Sequence, residues 1–220
     1  MLFTKVNGRG DSSDSKMTKF VTFGGRSFSI RALPDLDLLY DSGNDIEHRM
    51  AAEASDVFNC PVQDGPNVVR YDRDKTSIHV GPKPISITSG RLGSLSLIFV
   101  GLANPGGVLL YSLPLNSERP RFESTWIGLS DAFKSWDELY METGLGGITV
   151  TDLSFIPSHQ TGSGVPWLLV AGSKSGTVTL LKIKGNGDIP YFPSRADSLK
   201  SSAVTVVIYS LLLVTVLTAT

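Results

Sequence analysis

The chain has 220 residues, 41% hydrophobic and 19% charged, which is the range of a folded domain and excludes a wholly disordered one. Twenty Lys plus Arg against 21 Asp plus Glu leave a net charge of −1, without the basic excess that a phosphate backbone requires, so nucleic acid is not an expected partner. A single cysteine, Cys60, excludes an internal disulfide, and with only three histidines (His48, His79 and His159) it leaves no set for a Cys/His zinc site.

From the N-terminus, residues 1–9 lack the basic start and apolar core of a signal peptide, and residues 1–17 read as a polar lead-in. Within it Arg9-Gly10-Asp11 is an adhesion-type tripeptide, although turn chemistry alone also favours Gly beside Asp. Compact or alternating apolar runs at 20–23, 27–30, 38–40, 85–88, 95–101, 108–113, 148–156, 167–171 and 177–183 predict β-strands. Gly24-Gly25, Asn104-Pro105-Gly106-Gly107 and Ser173-Lys174-Ser175-Gly176 are turn sequences between them. One helix is expected over 45–54, with Asn44 or Asp45 as N-cap and Ile46, Met50 and Ala54 at a spacing that puts them on one face.

Laid without gaps, LIFVGLANPGGVLLYSL (97–113) falls on WLLVAGSKSGTVTLLKI (167–183) and matches Val100 with Val170, Gly106 with Gly176, Val108 with Val178 and Leu110 with Leu180. Each copy reads as strand, tight turn, strand, and 20–30 reads as a shorter hairpin of the same kind. The fold class is therefore all-β, with hairpins recurring about every 70 residues as blades of a partial β-propeller over residues 18–185, and a β-sandwich as the alternative. About three blades fall short of the roughly four to eight of a ring, which points to a missing N-terminal part of the same propeller as a partner.

Residues 186–202 are a polar spacer, and 203–220 hold no charge, Gly or Pro. As a helix that tail reaches roughly 27 Å, marginal for a bilayer core of about 30 Å. Nothing basic follows it, so the tail reads as a signal for a glycosylphosphatidylinositol anchor, attached at Ser194 or, less well, at Asp197 or Ser198. The alternatives are a retained membrane helix and a buried strand or helix. An anchor signal acts only on a secreted chain, so its presence without a leader peptide again points to a longer parent protein.

FGGRSFSI (23–30), LLYDSGNDIEHRMA (38–51), FVGLANPGGVLLYSL (99–113) and TDLSFIPSHQTGSGVPWLLVAGSKSGTVTLLKI (151–183) resemble the choice-of-anchor I domain, which in animals forms the mesenchyme-specific cell-surface glycoprotein family. The resemblance covers about residues 18–184. It implies a secreted propeller on the extracellular face of the plasma membrane, lipid-anchored and associated with calcium-depositing cells, while some bacterial relatives are described as phosphatases. Where the family carries GPEPEG, this chain has Gly81-Pro82-Lys83-Pro84-Ile85-Ser86, so Lys83 and Ile85 replace two glutamates. VGLER becomes Val100-Gly101-Leu102-Ala103-Asn104, PEGLTF becomes Val150-Thr151-Asp152-Leu153-Ser154-Phe155, and VANE becomes Val170-Ala171-Gly172-Ser173.

Holding a hard cation or polarising a phosphate needs several converging oxygen ligands or charges, and these changes remove them while keeping the strand-forming residues. No catalytic residue, metal site or cofactor is therefore expected. Asp35, Asp37, Asp41, Asp45, Glu47, Asp72 and Asp74 lack the spacing of a calcium loop and offer at most weak surface Ca²⁺ binding. The expected function is non-enzymatic display of a surface for matrix or a mineral precursor. A metal-dependent phosphatase and a single-pass receptor ectodomain are the alternatives.

Overall fold

The computed structural model describes residues 26–62, 73–129, 134–141, 146–186 and 189–192, with short strands at 3–4, 21–22 and 205–207. The elements run β1 (Phe3–Thr4), β2 (Val21–Thr22), β3 (Ser29–Arg31), β4 (Leu38–Asp41), α1 (Asp45–Glu53), β5 (Pro84–Leu92), β6 (Leu95–Leu102), β7 (Val108–Pro114), β8 (Arg121–Trp126) and α2 (Trp136–Met141). They continue with β9 (Val150–Ile156), β10 (Trp167–Gly172), β11 (Thr177–Lys182), β12 (Lys184–Asn186), β13 (Ile189–Tyr191) and β14 (Thr205–Val207). Among the described residues the fold is mostly antiparallel β-sheet with two short α-helices, in agreement with the all-β expectation.

Two four-stranded sheets dominate, one ordered β5-β6-β7-β8 and the other β14-β11-β10-β9, and all the sheets among the described residues are open. The internal repeat is real in three dimensions. Val100 stands opposite Leu109 in the β6–β7 pair and Val170 opposite Thr179 in the β10–β11 pair, so both members shift by the repeat length and the register is preserved. The two copies are the second and third strands of the two sheets.

Strands β6 and β7 are apolar at almost every position, Ser96 and Ser112 being the exceptions, because both faces of their sheet are covered. Leu97, Phe99, Val108 and Leu110 point towards the second sheet and pack with Val150, Leu153, Leu168, Val170, Leu181 and Phe192. The alternate residues Ile98, Val100, Leu102, Leu109 and Tyr111 meet Phe28 and the helix residues Ile46 and Met50. Phe99 stacks on Phe155 with ring centres 5.8 Å apart. Ser86 Oγ on β5 donates 2.8 Å to the Val150 carbonyl on β9 and fastens the sheets at one end. Gly90 lies flat against Phe155, where a Cβ would sit 2.4 Å from the ring. The result is three layers: the α1 and β3–β4 layer, the first sheet and the second sheet.

Helix α1 matches its expectation to within a residue, with Ile46 and Met50 fully buried. Asn44 caps it through its carbonyl, which accepts from His48 N, rather than through its side chain. Asp45 and Glu47 place negative charge in the first turn, where the helix dipole favours it. Among the described residues, Val21–Thr22 and Ser29–Arg31 do not pair with each other as the 20–30 hairpin requires. β3 pairs with β4 across the turn at 32–37, Ser29 facing Asp41, and β2 pairs with β1. Strand β8, helix α2 and the β12–β13 hairpin, which spans the expected boundary at 185/186, were not foreseen in the sequence.

Candidate functional site

In an antiparallel meander the start of the first strand and the turn between the second and third lie at the same end. Here that places four segments together: 81–84 before β5, 103–107 between β6 and β7, 147–151 leading into β9, and 172–176 between β10 and β11. Hydrogen bonds link them in series. Ala103 N donates to the Lys83 carbonyl at 2.9 Å and Asn104 Nδ2 to the Gly81 carbonyl at 2.9 Å. Thr149 Oγ1 donates to the Ala103 carbonyl at 3.2 Å, and Ser173 donates to the Thr149 carbonyl through both its N–H (3.1 Å) and its hydroxyl (3.3 Å).

The middle segment is gripped on both sides. Gly106 bridges to Ile148, and Gly107 N donates to the Gly147 carbonyl. From the other side Ile148 N donates to Ser175 Oγ and Gly147 N to Thr177 Oγ1, and these two hydroxyls lie 2.7 Å apart. Ser175 and Thr177 are buried, and their hydroxyls supply acceptors that two loop amides need. Gly147 has φ +56°, and a Cβ there would meet the Trp126 ring at 2.5 Å.

The positions that the resemblance singles out therefore converge. Lys83 is exposed in the left-handed region at φ +52°, Ile85 is 42% exposed, and Thr151 is exposed with its hydroxyl 3.4 Å from the Ala171 carbonyl. Ala103, Asn104 and Ser173 belong to the hydrogen-bonded series just described. In the four segments and Asp152 beside them, the ionisable side chains are Lys83, Lys174 and Asp152, and Asp152 accepts from Leu153 N. The end presents ammonium groups, hydroxyls and carbonyls rather than a set of carboxylates. Thr149, Ser175 and Thr177 were missed in the sequence; their signal is the run of hydroxyl residues in a turn that opens directly into an apolar strand.

Four of the other acidic candidates face protein partners. Asp45 takes a hydrogen bond from Tyr111 and pairs with Arg49, Glu47 pairs with Arg26, Asp41 accepts from Gly43 N, and Asp74 accepts from Ser77 Oγ. Asp35 and Asp37 are exposed. Among the described residues no three His, Cys, Asp or Glu side chains are grouped so as to hold a metal ion. His48, His79 and His159 are exposed on separate elements, and Cys60 is buried. Arg9, Gly10, Asp11, Asp72, Ser194, Asp197 and Ser198 lie outside the described residues.

The choice-of-anchor I domain profile matches residues 1–115, more than half of the sequence and through the whole of β7. The chain belongs to the choice-of-anchor I family. It is 28% identical over 203 residues to Gigasin-3a of Magallana gigas, a match covering 88% of this chain and 71% of that protein. It is 27% identical over 158 residues to the mesenchyme-specific cell surface glycoprotein of Strongylocentrotus purpuratus, covering 68% of this chain and 20% of that protein. No solved structure matches. The family profile ends just after β7, so it takes in the first three strands of the first sheet, while β8 and the second sheet lie beyond it. Among the described residues no helix is long and apolar enough to cross a membrane.

Proposed function

We propose that this choice-of-anchor I chain is a surface-displayed binding module rather than a hydrolase. In this reading it contributes neighbouring blades to a β-propeller held outside the cell by a C-terminal lipid anchor. The observation that carries the reading is the convergence of Lys83, Ala103, Asn104, Thr151 and Ser173 on one end of the two sheets, where hydroxyls, amides and ammonium groups stand at positions that are charged, mostly acidic, in the family. Such an end suits docking of an anionic or hydrogen-bonding surface, such as matrix or a mineral precursor, and lacks the carboxylate set for metal-assisted hydrolysis.

Two consecutive antiparallel units, β5 to β8 and β9 to β11, with one register and packed face to face, support the propeller order. Ile85 and Ile87 on the outer face of β5 are 42% and 57% exposed and border an open groove of about 310 Å³ with Phe28, Pro84 and Val100. In this reading that face receives the preceding blade, from the N-terminal part of the same propeller. The name of the sea-urchin relative supports a cell-surface location. Ser194 is the proposed attachment residue, with Asp197 and Ser198 as alternates.

The test is treatment of cells expressing the full-length parent with a phosphatidylinositol-specific phospholipase, with phosphatase assay of the released protein. Release of a protein lacking peptides from 204–220, inactive on phosphate esters, is the expected result. Retention of those peptides in the membrane fraction overturns the anchor in favour of a membrane span, and efficient phosphate-ester turnover overturns display.

A further inference from the structure

The two large sheets acquire their fourth strand differently. In the first, β5, β6, β7 and β8 follow one another along the chain. In the second, β9, β10 and β11 do the same, but the next two strands, β12 and β13, pair with each other, Lys184 facing Tyr191. The vacant edge of β11 is taken by β14, through the antiparallel pairs Thr177↔Val207, Val178↔Val206 and Thr179↔Thr205. β14 therefore covers only the first half of β11, which runs to Lys182. A sheet edge offers its unpaired N–H and C=O groups to any extended segment, and Thr-Val-Val is well suited to be one.

The segment that supplies β14 is also the uncharged stretch 203–220, the part of the chain with the greatest affinity for lipid. Backbone inside a bilayer must satisfy its polar groups within the membrane-embedded structure itself, so it cannot bond to the edge of β11 at the same time. We propose that the edge of β11 is a strand-accepting site occupied by this chain's own Thr205–Val207, and that withdrawal of this segment into a lipid bilayer opens the edge. The competition lies in one segment having two incompatible places, and it applies to the chain that still carries residues 203–220, before any anchor attached at Ser194 replaces them.

The test uses the full chain with the pair Val178→Cys and Val206→Cys, which face each other across the ladder, against a control pair Val178→Cys and Thr205→Cys. Adjacent residues on a strand point to opposite faces, so the control is out of position by one residue. The expected result is an intramolecular disulfide in the first pair only, most of which is lost when phosphatidylcholine vesicles are present during oxidation. Equal yields from both pairs overturn the strand. A disulfide formed only between chains overturns the assignment of the occupant and makes it a second copy. A yield that vesicles leave unchanged overturns the competition. The unsubstituted chain gives an independent reading, since amide exchange at 177–179 is expected to accelerate on adding the same vesicles, and unchanged exchange counts against the proposal.

Discussion

The hydroxyl of Tyr111, in the middle of β7, donates a 3.0 Å hydrogen bond to Oδ2 of Asp45, the first residue of α1. The other carboxylate oxygen stands 3.3 Å from Arg49 Nε, the Arg49 guanidinium lies 4.4 Å from the centre of the Phe122 ring, and Phe122 meets the Tyr111 ring edge-on. These contacts close a ring that fixes the helix to the first sheet. Burial pushes the Tyr111 pKa above the usual tyrosine value, and the negative charge and hydrogen bond of Asp45 push it further.

Because the folded-state pKa of Tyr111 lies above the unfolded value of about 10, its contribution to stability is complete below that pH and is lost as pH rises above it. Tyr111→Phe is expected to cost about 1.5–3 kcal/mol at neutral pH, the range for a hydrogen bond to a charged group. The gap between the two proteins then narrows as pH is raised from about 9 to about 11. Tyr40, also raised, first by burial and then by Asp45 and Asp41, is present in both proteins, so the comparison isolates residue 111. Urea unfolding at a series of pH values checks this, and a gap independent of pH counts against the account.

The joint between the sheets is expected to be the most sensitive part of the core. Phe99 is fully buried between Phe155 and Phe192, so Phe99→Ala should cost about 3–5 kcal/mol. Gly90→Ala should also destabilise although it adds only one methyl group, because that carbon meets the face of Phe155. If Phe155→Leu introduced with Gly90→Ala recovers part of the loss, the ring contact is the cause. Denaturant midpoints of the single and double variants measure it.

At the loop end, Gly147→Ala faces two penalties. The left-handed backbone costs a side-chain residue on the order of 1–2 kcal/mol, and the added carbon overlaps Trp126. Gly43, also at positive φ but with open space around it, carries the backbone penalty alone, so Gly43→Ala is the reference. Thermal melts should place Gly147→Ala well below Gly43→Ala, and equal melting temperatures mean that the Trp126 contact is soft.

Much of this architecture is legible in the residues. The hairpins β6–β7 and β10–β11 are apolar runs around Gly-containing turns, and their preserved register is the physical content of the repeat. α1 is legible because Ile46 and Met50 recur once per turn. Strand β8, Arg-Phe-Glu-Ser-Thr-Trp, is not, because it lies at a sheet edge where half-buried polar residues are tolerated and the apolar run disappears. The 20–30 segment misleads in the opposite way: its apolar residues and Gly pair look like a hairpin, yet Ile30 takes its partner, Tyr40, from beyond a turn with weaker signals. The chemical changes at Lys83 and Ser173 are visible in the sequence, but their meeting through Thr149 depends on two turns 70 residues apart reaching the same end.

Those changes yield the last prediction. If the loop end is a display surface because it lacks carboxylates, supplying them should create cation binding there. Lys83→Glu, Thr151→Glu and Ser173→Glu together put three carboxylates around one hydrogen-bonded set of loops, and Lys83 already adopts its positive φ with a side chain, so no new backbone strain arises at that site. Without metal the triple variant should be less stable than the parent through repulsion between like charges. Calcium at concentrations on the order of 1 mM should reverse that loss and raise its melting temperature by several degrees, since a ligand that binds only the folded state stabilises it by mass action. A chelator should undo the gain, while the parent protein should respond to neither. A parent that gains as much from calcium as the variant does would mean that its carbonyls and hydroxyls already hold the cation, and the distinction between a lost ionic site and a display surface would fall.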